Sequence, residues 1–293
     1  MIDTTCAGPV PDPKIPALRP PPGSCDAHCH VFGPVDRFPY AADRTFTPPE
    51  APKERLRSLH RTLGLERAVI VQSVCHGSDH AALLDALVAG GGSYRGVALV
   101  GPQTPEDEIV RLHDAGVRGA RLNFTPHLGP APTPETVRAV ADLVGPFGWH
   151  LAVHLAGEGA AVHESLIASL PLPIVIDHMA RADLRAGLES GPIHALSRLL
   201  DTGKVWIKLS GADRVATRPP DFDDAVELAR LLVLRAPERV LWGTDFPHPN
   251  THGFMPDDGV LVDLIERFAP DEATRRRLLV TNPAACFGFP ADV

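Results

Sequence analysis

Short apolar runs rich in valine, isoleucine and leucine alternate along the chain with longer amphipathic stretches. The apolar runs predict strands over residues 24–31, 67–73, 95–100, 117–124, 149–155, 173–178, 205–210 and 239–245. The stretches between them predict helices over residues 53–63, 79–88, 105–115, 134–144, 221–234 and 256–268. Gly64, Gly116, Gly148, Pro171, Gly203 and Pro237 punctuate the boundaries. Strands that alternate with helices pair in parallel through right-handed crossovers, and eight is the number that closes a barrel. A doubly wound open sheet would place a glycine-rich phosphate loop after its first strand. Here the first strand runs out into His28-Cys29-His30-Val31-Phe32-Gly33-Pro34, which has no such loop. The expected fold is α/β: one (β/α)₈ TIM barrel over residues 24–293, preceded by a proline-rich extended arm over residues 1–23.

Composition narrows the function classes. A chain of 293 residues suits one barrel of ~250 residues plus its ends. The formal net charge of −8 provides no basic footprint for nucleic acid or an anionic membrane surface. No apolar stretch is as long as the ~20 residues a membrane span needs, and no basic segment precedes an apolar leader. The expectation is a cytoplasmic protein with no membrane or nucleic-acid partner and an open oligomeric state. Cys6, Cys25, Cys29, Cys75 and Cys286 are odd in number and scattered, as reduced thiols are.

In a barrel the chemistry gathers at the C-terminal strand ends. The first strand ends in His28 and His30, the fourth in Arg121 and Asn123, and the fifth in His154. The sixth ends in Asp177 and His178, the seventh in Lys208 and Ser210, and the eighth in Asp245. Side chains alternate faces along a strand. Asp26, His28 and His30 are therefore expected on one face, with Ala27 and Cys29 on the other. Leu241, Gly243 and Asp245 are expected to share a face. His-x-His suits two imidazole ligands to a zinc-like ion, and a carboxylate from a distant strand can complete the set and take a proton from bound water. His28, His30 and Asp245, with His154 and His178 at neighbouring strand ends, therefore form a candidate metal-binding and hydrolytic site. Asp177 either points outward or fixes the tautomer of a neighbouring histidine, and Lys208 is expected at the rim or core edge.

The motifs carry a resemblance over residues 24–289. Asp26-Ala27-His28-Cys29-His30-Val31-Phe32-Gly33-Pro34 resembles the opening strand of the amidohydrolase superfamily. Phe38-Pro39-Tyr40, Val71-Gln72-Ser73-Val74-Cys75-His76-Gly77, Gly116 to Phe124, Asp177-His178-Met179 and Met255 to Gly259 resemble its branch of 2-pyrone-4,6-dicarboxylate lactonases and 4-sulfomuconolactone hydrolases. The most specific segment is Leu241-Trp242-Gly243-Thr244-Asp245-Phe246-Pro247-His248-Pro249-Asn250, and Asn282-Pro283-Ala284 adds to it. The resemblance implies a hydrolase that opens an acidic lactone in bacterial aromatic catabolism. It also implies that Asp245 activates water, that Arg121 and Arg214 hold the anionic substituents, and that His178 sits by the carbonyl. His127, Ser73, His76 and Asn250 are expected to line the substrate.

Three positions depart from the pyrone dicarboxylate pattern. His154 and Phe46 stand where that pattern has tyrosines, and His127 where it has an arginine. These departures favour a zinc-dependent lactonase acting on a sulfonated muconolactone, and with the resemblance they imply His28, His30, His154 and Asp245 as the metal shell of one Zn²⁺ per chain, and Asp245 and His178 as the catalytic pair. The alternatives are metal-free pyrone dicarboxylate hydrolysis, a metal-dependent decarboxylase of the same superfamily (which would release CO₂), and a non-catalytic anion-binding barrel.

Overall fold

The computed structural model describes residues 6–290. Its eight strands are β1 Cys25–Cys29, β2 Arg67–Val71, β3 Tyr94–Ala98, β4 Val117–Asn123, β5 His150–His154, β6 Ile174–Ile176, β7 Val205–Lys208 and β8 Val240–Leu241. Each overlaps one of the predicted runs. All pair in parallel in sequential order. Beyond β8 the chain runs on beside β1, where Ala27 N donates to Trp242 O (2.8 Å), Asp245 N to His28 O (2.8 Å) and His30 N to Phe246 O (2.8 Å). These bonds complete the ring, so the fold is the expected (β/α)₈ barrel.

Val69, Val71, Val97, Ala152, Val175 and Leu241 fill the interior with Cys25 and Ala27, and Phe287 and Phe289 close its floor. The outward strand residues pack under the helices in one large apolar cluster. The predicted helices appear within a few residues of their expected bounds. Those at Gly159–Val162, Glu164–Ser169 and Gly191–Asp201 were not foreseen, nor were the C-terminal ones from Glu272 to Phe287. The described part of the arm lies along the barrel. Lys14 N donates to both oxygens of Asp257 (3.1 and 3.0 Å), and Leu18 N donates to Asp263 Oδ1 (2.9 Å).

One expectation about β1 is corrected. Between Asp26 and Cys29 the register to β2 slips by one residue, as in a β-bulge. Cys25 and Ala27 face the interior and Asp26 faces outward, where its Oδ2 lies 3.1 Å from His60 Nε2. The bulge then reverses the phase, so that His28 and His30 also face inward. Strict alternation would have placed Asp26 beside them.

Gly243 allows the seam to close. A Cβ there would stand 2.4 Å from His28 N and 2.8 Å from Asp26 Oδ1. Gly243→Ala should therefore force the seam apart, at a cost of about 1–3 kcal/mol as for other overpacked sites. Thermal unfolding measures this, and a variant that melts with the wild type would show that the contact is slack.

Candidate active site

His28 and His30 enter the barrel mouth from the bulge of β1. His30 Nδ1 lies 2.6 Å from the Val71 carbonyl. A carbonyl only accepts, so Nδ1 carries the proton and a singly protonated His30 presents a lone pair on Nε2. His28 Nδ1 sits between Asp177 Oδ1 (3.2 Å) and Lys208 Nζ (3.0 Å), and Lys208 and Asp177 are 3.1 Å apart. Asp177 therefore points inward, not outward. Lys208 is fully buried inside the barrel rather than at its rim. Burial works against the charge of Asp177, but Lys208, His28 and Arg121 outweigh it and hold the carboxyl well below its ordinary range. Burial first, then the Lys208 charge, pushes His28 down to about 3.

Asp245 follows β8 in the left-handed region (φ 66°), pinned by Asp245 N to His28 O and by His248 N to Asp245 O (2.7 Å). This turn aims one carboxylate oxygen at three imidazoles. Oδ1 lies 3.3 Å from His30 Nε2, 3.6 Å from His178 Nε2 and 3.7 Å from His28 Nε2. Oδ2 accepts from Arg214 Nε (3.1 Å) and Nη2 (2.9 Å), and the same Nη2 reaches Pro249 O (2.9 Å). Burial would raise the Asp245 carboxyl, but His178, Arg214 and the contact with His30 hold it well below its ordinary range. Arg214 itself is raised: burial opposes its charge, and Asp245 and Asp213 more than compensate.

His178 comes from an unusual segment. His178, Met179, Ala180 and Arg181 all have φ between 46° and 56°. Each such residue costs roughly 1–2 kcal/mol outside glycine, so the surroundings must impose the turn. Ala180 N donates to Asp177 O (2.9 Å) and Ala182 N to Met179 O (3.3 Å), and Met179 and Ala180 are buried. The turn swings His178 to the same side as Asp177, where Nδ1 meets Ser210 Oγ at 2.9 Å. Burial drives His178 well below its ordinary value, so the ring is held neutral.

The pocket above Asp245 is lined by His30, Ser73, Arg121, His127, His154, His178, Arg214, Asp245 and Asn250 from the expected set, together with Phe46 and Arg181. Arg121 donates to Gln72 O (3.2 Å) and lies 3.5 Å from His154 Nδ1. His154 therefore leans on Arg121. His76 is not in the lining. Its Nδ1 is 3.3 Å from Pro39 O and its ring packs against Phe32 and Tyr40. His248 braces the loop by bonding Asp258 Oδ1 (3.1 Å). Arg181 was missed in the sequence, which gives no sign of the left-handed turn that brings it to the pocket.

The donor set suits a metal ion. His28, His178 and Asp245 each offer an atom, and all three atoms lie within 4.8 Å of one another. Four ligands at ~2.1 Å from a tetrahedral ion are roughly 3.4 Å apart, close to the separations around Asp245 Oδ1. His28 Nε2 is buried without a hydrogen-bond partner. The His30 lone pair also faces Asp245 Oδ1, two acceptors that need a proton or a cation between them. The structure thus brings His178 into the cluster with His28 and Asp245, sets His30 against Asp245, and leaves His154 beside Arg121.

The family model for amidohydrolases matches residues 25–289. This chain belongs to the amidohydrolase family. The 2-pyrone-4,6-dicarboxylate hydrolase of Comamonas testosteroni is 38% identical over 291 residues, covering 96% of this chain and 95% of that protein. The 4-sulfomuconolactone hydrolase of Rhizobium radiobacter is 39% identical over 271 residues, covering 92% and 91%. An apo crystal structure of an Agrobacterium tumefaciens protein superposes with a TM-score of 0.85 at 28% identity, over 94% of this chain and all of that one. The amidohydrolase barrel thus extends across nearly the whole chain. Among the described residues no helix is long and apolar enough to cross a membrane.

The buried imidazoles make stability depend on pH. His150, on the barrel floor side of β5, is lowered from 6.5 to about 3 by burial and then by Lys208. A group lowered on folding contributes fully above its unfolded value. That contribution is lost as pH falls from about 6.5 towards 3, by up to ~1.4 kcal/mol per pH unit. Unfolding free energy should therefore drop between pH 7 and pH 5, and His150→Phe should remove one histidine's share of the slope. Denaturant titrations across that range test it, and an unchanged slope in the variant would contradict the assignment.

Proposed function

We propose that this amidohydrolase is a lactonase that hydrolyses an anionic lactone, with 4-sulfomuconolactone the best single candidate and zinc the metal. The observation that carries this reading is Asp245. It is an ionised carboxylate with one oxygen clamped by Arg214 and the other facing three imidazoles, under a pocket with surplus guanidinium groups. The names of the two curated relatives support it, since each describes a hydrolase of an acidic cyclic ester.

In this mechanism a water at Asp245 Oδ1 attacks the lactone carbonyl, and Oδ1 takes its proton. With no metal bound, His178 Nε2 carries its proton, oriented through Nδ1 by Ser210, and faces the oxygen that gains charge; as a zinc ligand the same nitrogen would be occupied, and the ion would take over that role. The ring C–O bond breaks, and Asp245 returns the proton to the leaving oxygen. Arg214 keeps Oδ2 fixed throughout, so the basic lone pairs of Oδ1 stay aimed at the water. A carboxylate held so far below its ordinary range is a weak base, which favours a second source of activation. A zinc ion held by His28, His178 and Asp245, with His30 beside them, would supply it by acidifying the water and polarising the carbonyl. The serine hydroxyl can donate or accept, so Ser210 supports either tautomer of His178.

One observation favours a second reading, metal-free hydrolysis of 2-pyrone-4,6-dicarboxylate. Lys208 Nζ is 3.0 Å from His28 Nδ1. If it donates there, His28 Nε2 carries the proton and offers no lone pair to a metal. Elemental analysis of the never-chelated protein, with assays on both lactones with and without chelator, separates the two. The first reading expects near-stoichiometric zinc and loss of activity on chelation. In either case Asp245→Asn should cut kcat by about 10³-fold with little change in melting temperature. A variant that keeps most of its turnover would remove Asp245 from the role of base.

A further inference from the structure

The space above Asp245 has a volume of about 40 Å³. A cavity of about 150 Å³ holds benzene, and pockets for organic ligands measure roughly 300–1,000 Å³. An organic substrate of any class therefore reaches Asp245 only after part of the wall has moved.

Two larger grooves share wall residues with this space. One, of about 450 Å³, is lined by Gly157, Ala182 and Thr217 and shares Arg181 and Arg214 with the pocket. That wall is fixed. Arg214 is held by Asp245 Oδ2 and Pro249 O, and Arg181 O accepts from Gly157 N (3.1 Å) behind the buried Met179 and Ala180. The other groove, of about 460 Å³, is lined by Arg44, Leu99, Gly101 and Pro130 and shares Val74 and Leu128 with the pocket. Val74 stands in a short turn tied down by Ala41 N donating to Cys75 O (2.8 Å). Leu128 has no such tether.

Leu128 belongs to the segment 126–132. Leu128 N donates to Thr125 O (3.0 Å) and Gly129 N to Pro126 O (3.3 Å). Among the described residues no other hydrogen bond involves the segment, so none leads beyond Thr125. Pro126, Pro130 and Pro132 have no N–H to offer, and none of these residues is buried. The ends, in contrast, are anchored. Phe124 N donates to His154 O (2.9 Å), and Thr133 Oγ1 accepts from Thr136 N (3.2 Å) to cap the helix Pro134–Val144. Between them Gly129, at φ 118° and ψ −177°, has a backbone open to glycine alone. Leu128, partly buried against the core, is the segment's apolar attachment. Exposed backbone with few buried contacts opens at low free-energy cost.

We propose that residues 126–132 are a flap latched by Leu128, and that substrate and product pass through the groove beyond it when the flap lifts between Phe124 and Thr133. Local opening of this kind can admit ligands to an otherwise closed site. The flap does not depend on the substrate being a lactone.

Diethyl pyrocarbonate, a reagent larger than benzene that acylates neutral imidazoles, tests this without reference to turnover. His154 lines the closed pocket, and its Nε2 is buried without a partner. Its modification is followed by peptide mass spectrometry beside that of the exposed His194 and the buried His60, which lies outside the pocket. In wild type His154 should react about tenfold or more slowly than His194. Leu128→Ala removes most of the latch and should speed His154 about tenfold, with His194 and His60 unchanged. Wild-type His154 reacting as fast as His194 overturns the proposal, because nothing then bars the pocket. No reaction at His154 in either protein overturns it, and so does an equal rate in both. Acceleration at His60 as well would mean general loosening rather than a flap, and would count against it equally. A protein that opens no lactone but shows the expected rates keeps the flap and loses the lactonase reading.

Discussion

Asp26 accepts hydrogen bonds from His28 N (3.1 Å), Thr244 N (3.0 Å) and Thr244 Oγ1 (2.6 Å), and its second oxygen lies 3.1 Å from His60 Nε2. Three separate parts of the chain meet on this one fully buried carboxylate: the bulge of β1, the segment beyond β8, and the helix Lys53–Leu63. A buried carboxylate is tolerated only when its lone pairs are satisfied, so the interaction is close to all or none. It closes the barrel where the last strand meets the first. It also sets His28 beside Asp245, because both hang from the backbone that Asp26 ties together. The seam of the fold and the seat of the chemistry are thus one feature, and Gly243 is required there because no side chain fits between the two strands.

From that seam outward, fixed charges alternate with neutral rings. Lys208, Asp177 and Arg121 form one series, and Arg214, Asp245 and Asp213 form another. Between them stand His28, His154 and His178, kept uncharged mainly by burial. The charges are held by the protein before any ligand arrives, so little reorganisation is needed when charge develops on a substrate oxygen.

The strands were legible because runs such as Val69-Ile70-Val71 and Ile174-Val175-Ile176 must be buried on both faces, which only a covered parallel sheet provides. The gathering of His28, His178 and Asp245 was legible because residues at barrel strand ends converge. What escaped the sequence was backbone that departs from the ideal. Nothing in Asp26-Ala27-His28 announces a bulge, and the bulge moves Asp26 to the other face. Non-glycine residues give no sign of a left-handed turn, so Arg181 went unnoticed as a wall of the pocket. Lys208 was expected at the rim or core edge, but Asp177, 3.1 Å away, lets it lie buried inside the barrel. His76 was expected at the substrate because it follows the second strand, but the short turn at Val74–His76 carries it behind the wall.

The turn from His178 to Arg181 has a consequence for how such pockets diversify. Its backbone is imposed by burial of Met179 and Ala180 and by hydrogen bonds from the main chain, not by the side chains at its two ends. A descendant can therefore exchange the pocket-lining residue at 181 while inheriting the imidazole at 178 unaltered. The make-up of the pocket wall and the placing of the imidazole are separable traits here, even though only two residues lie between them.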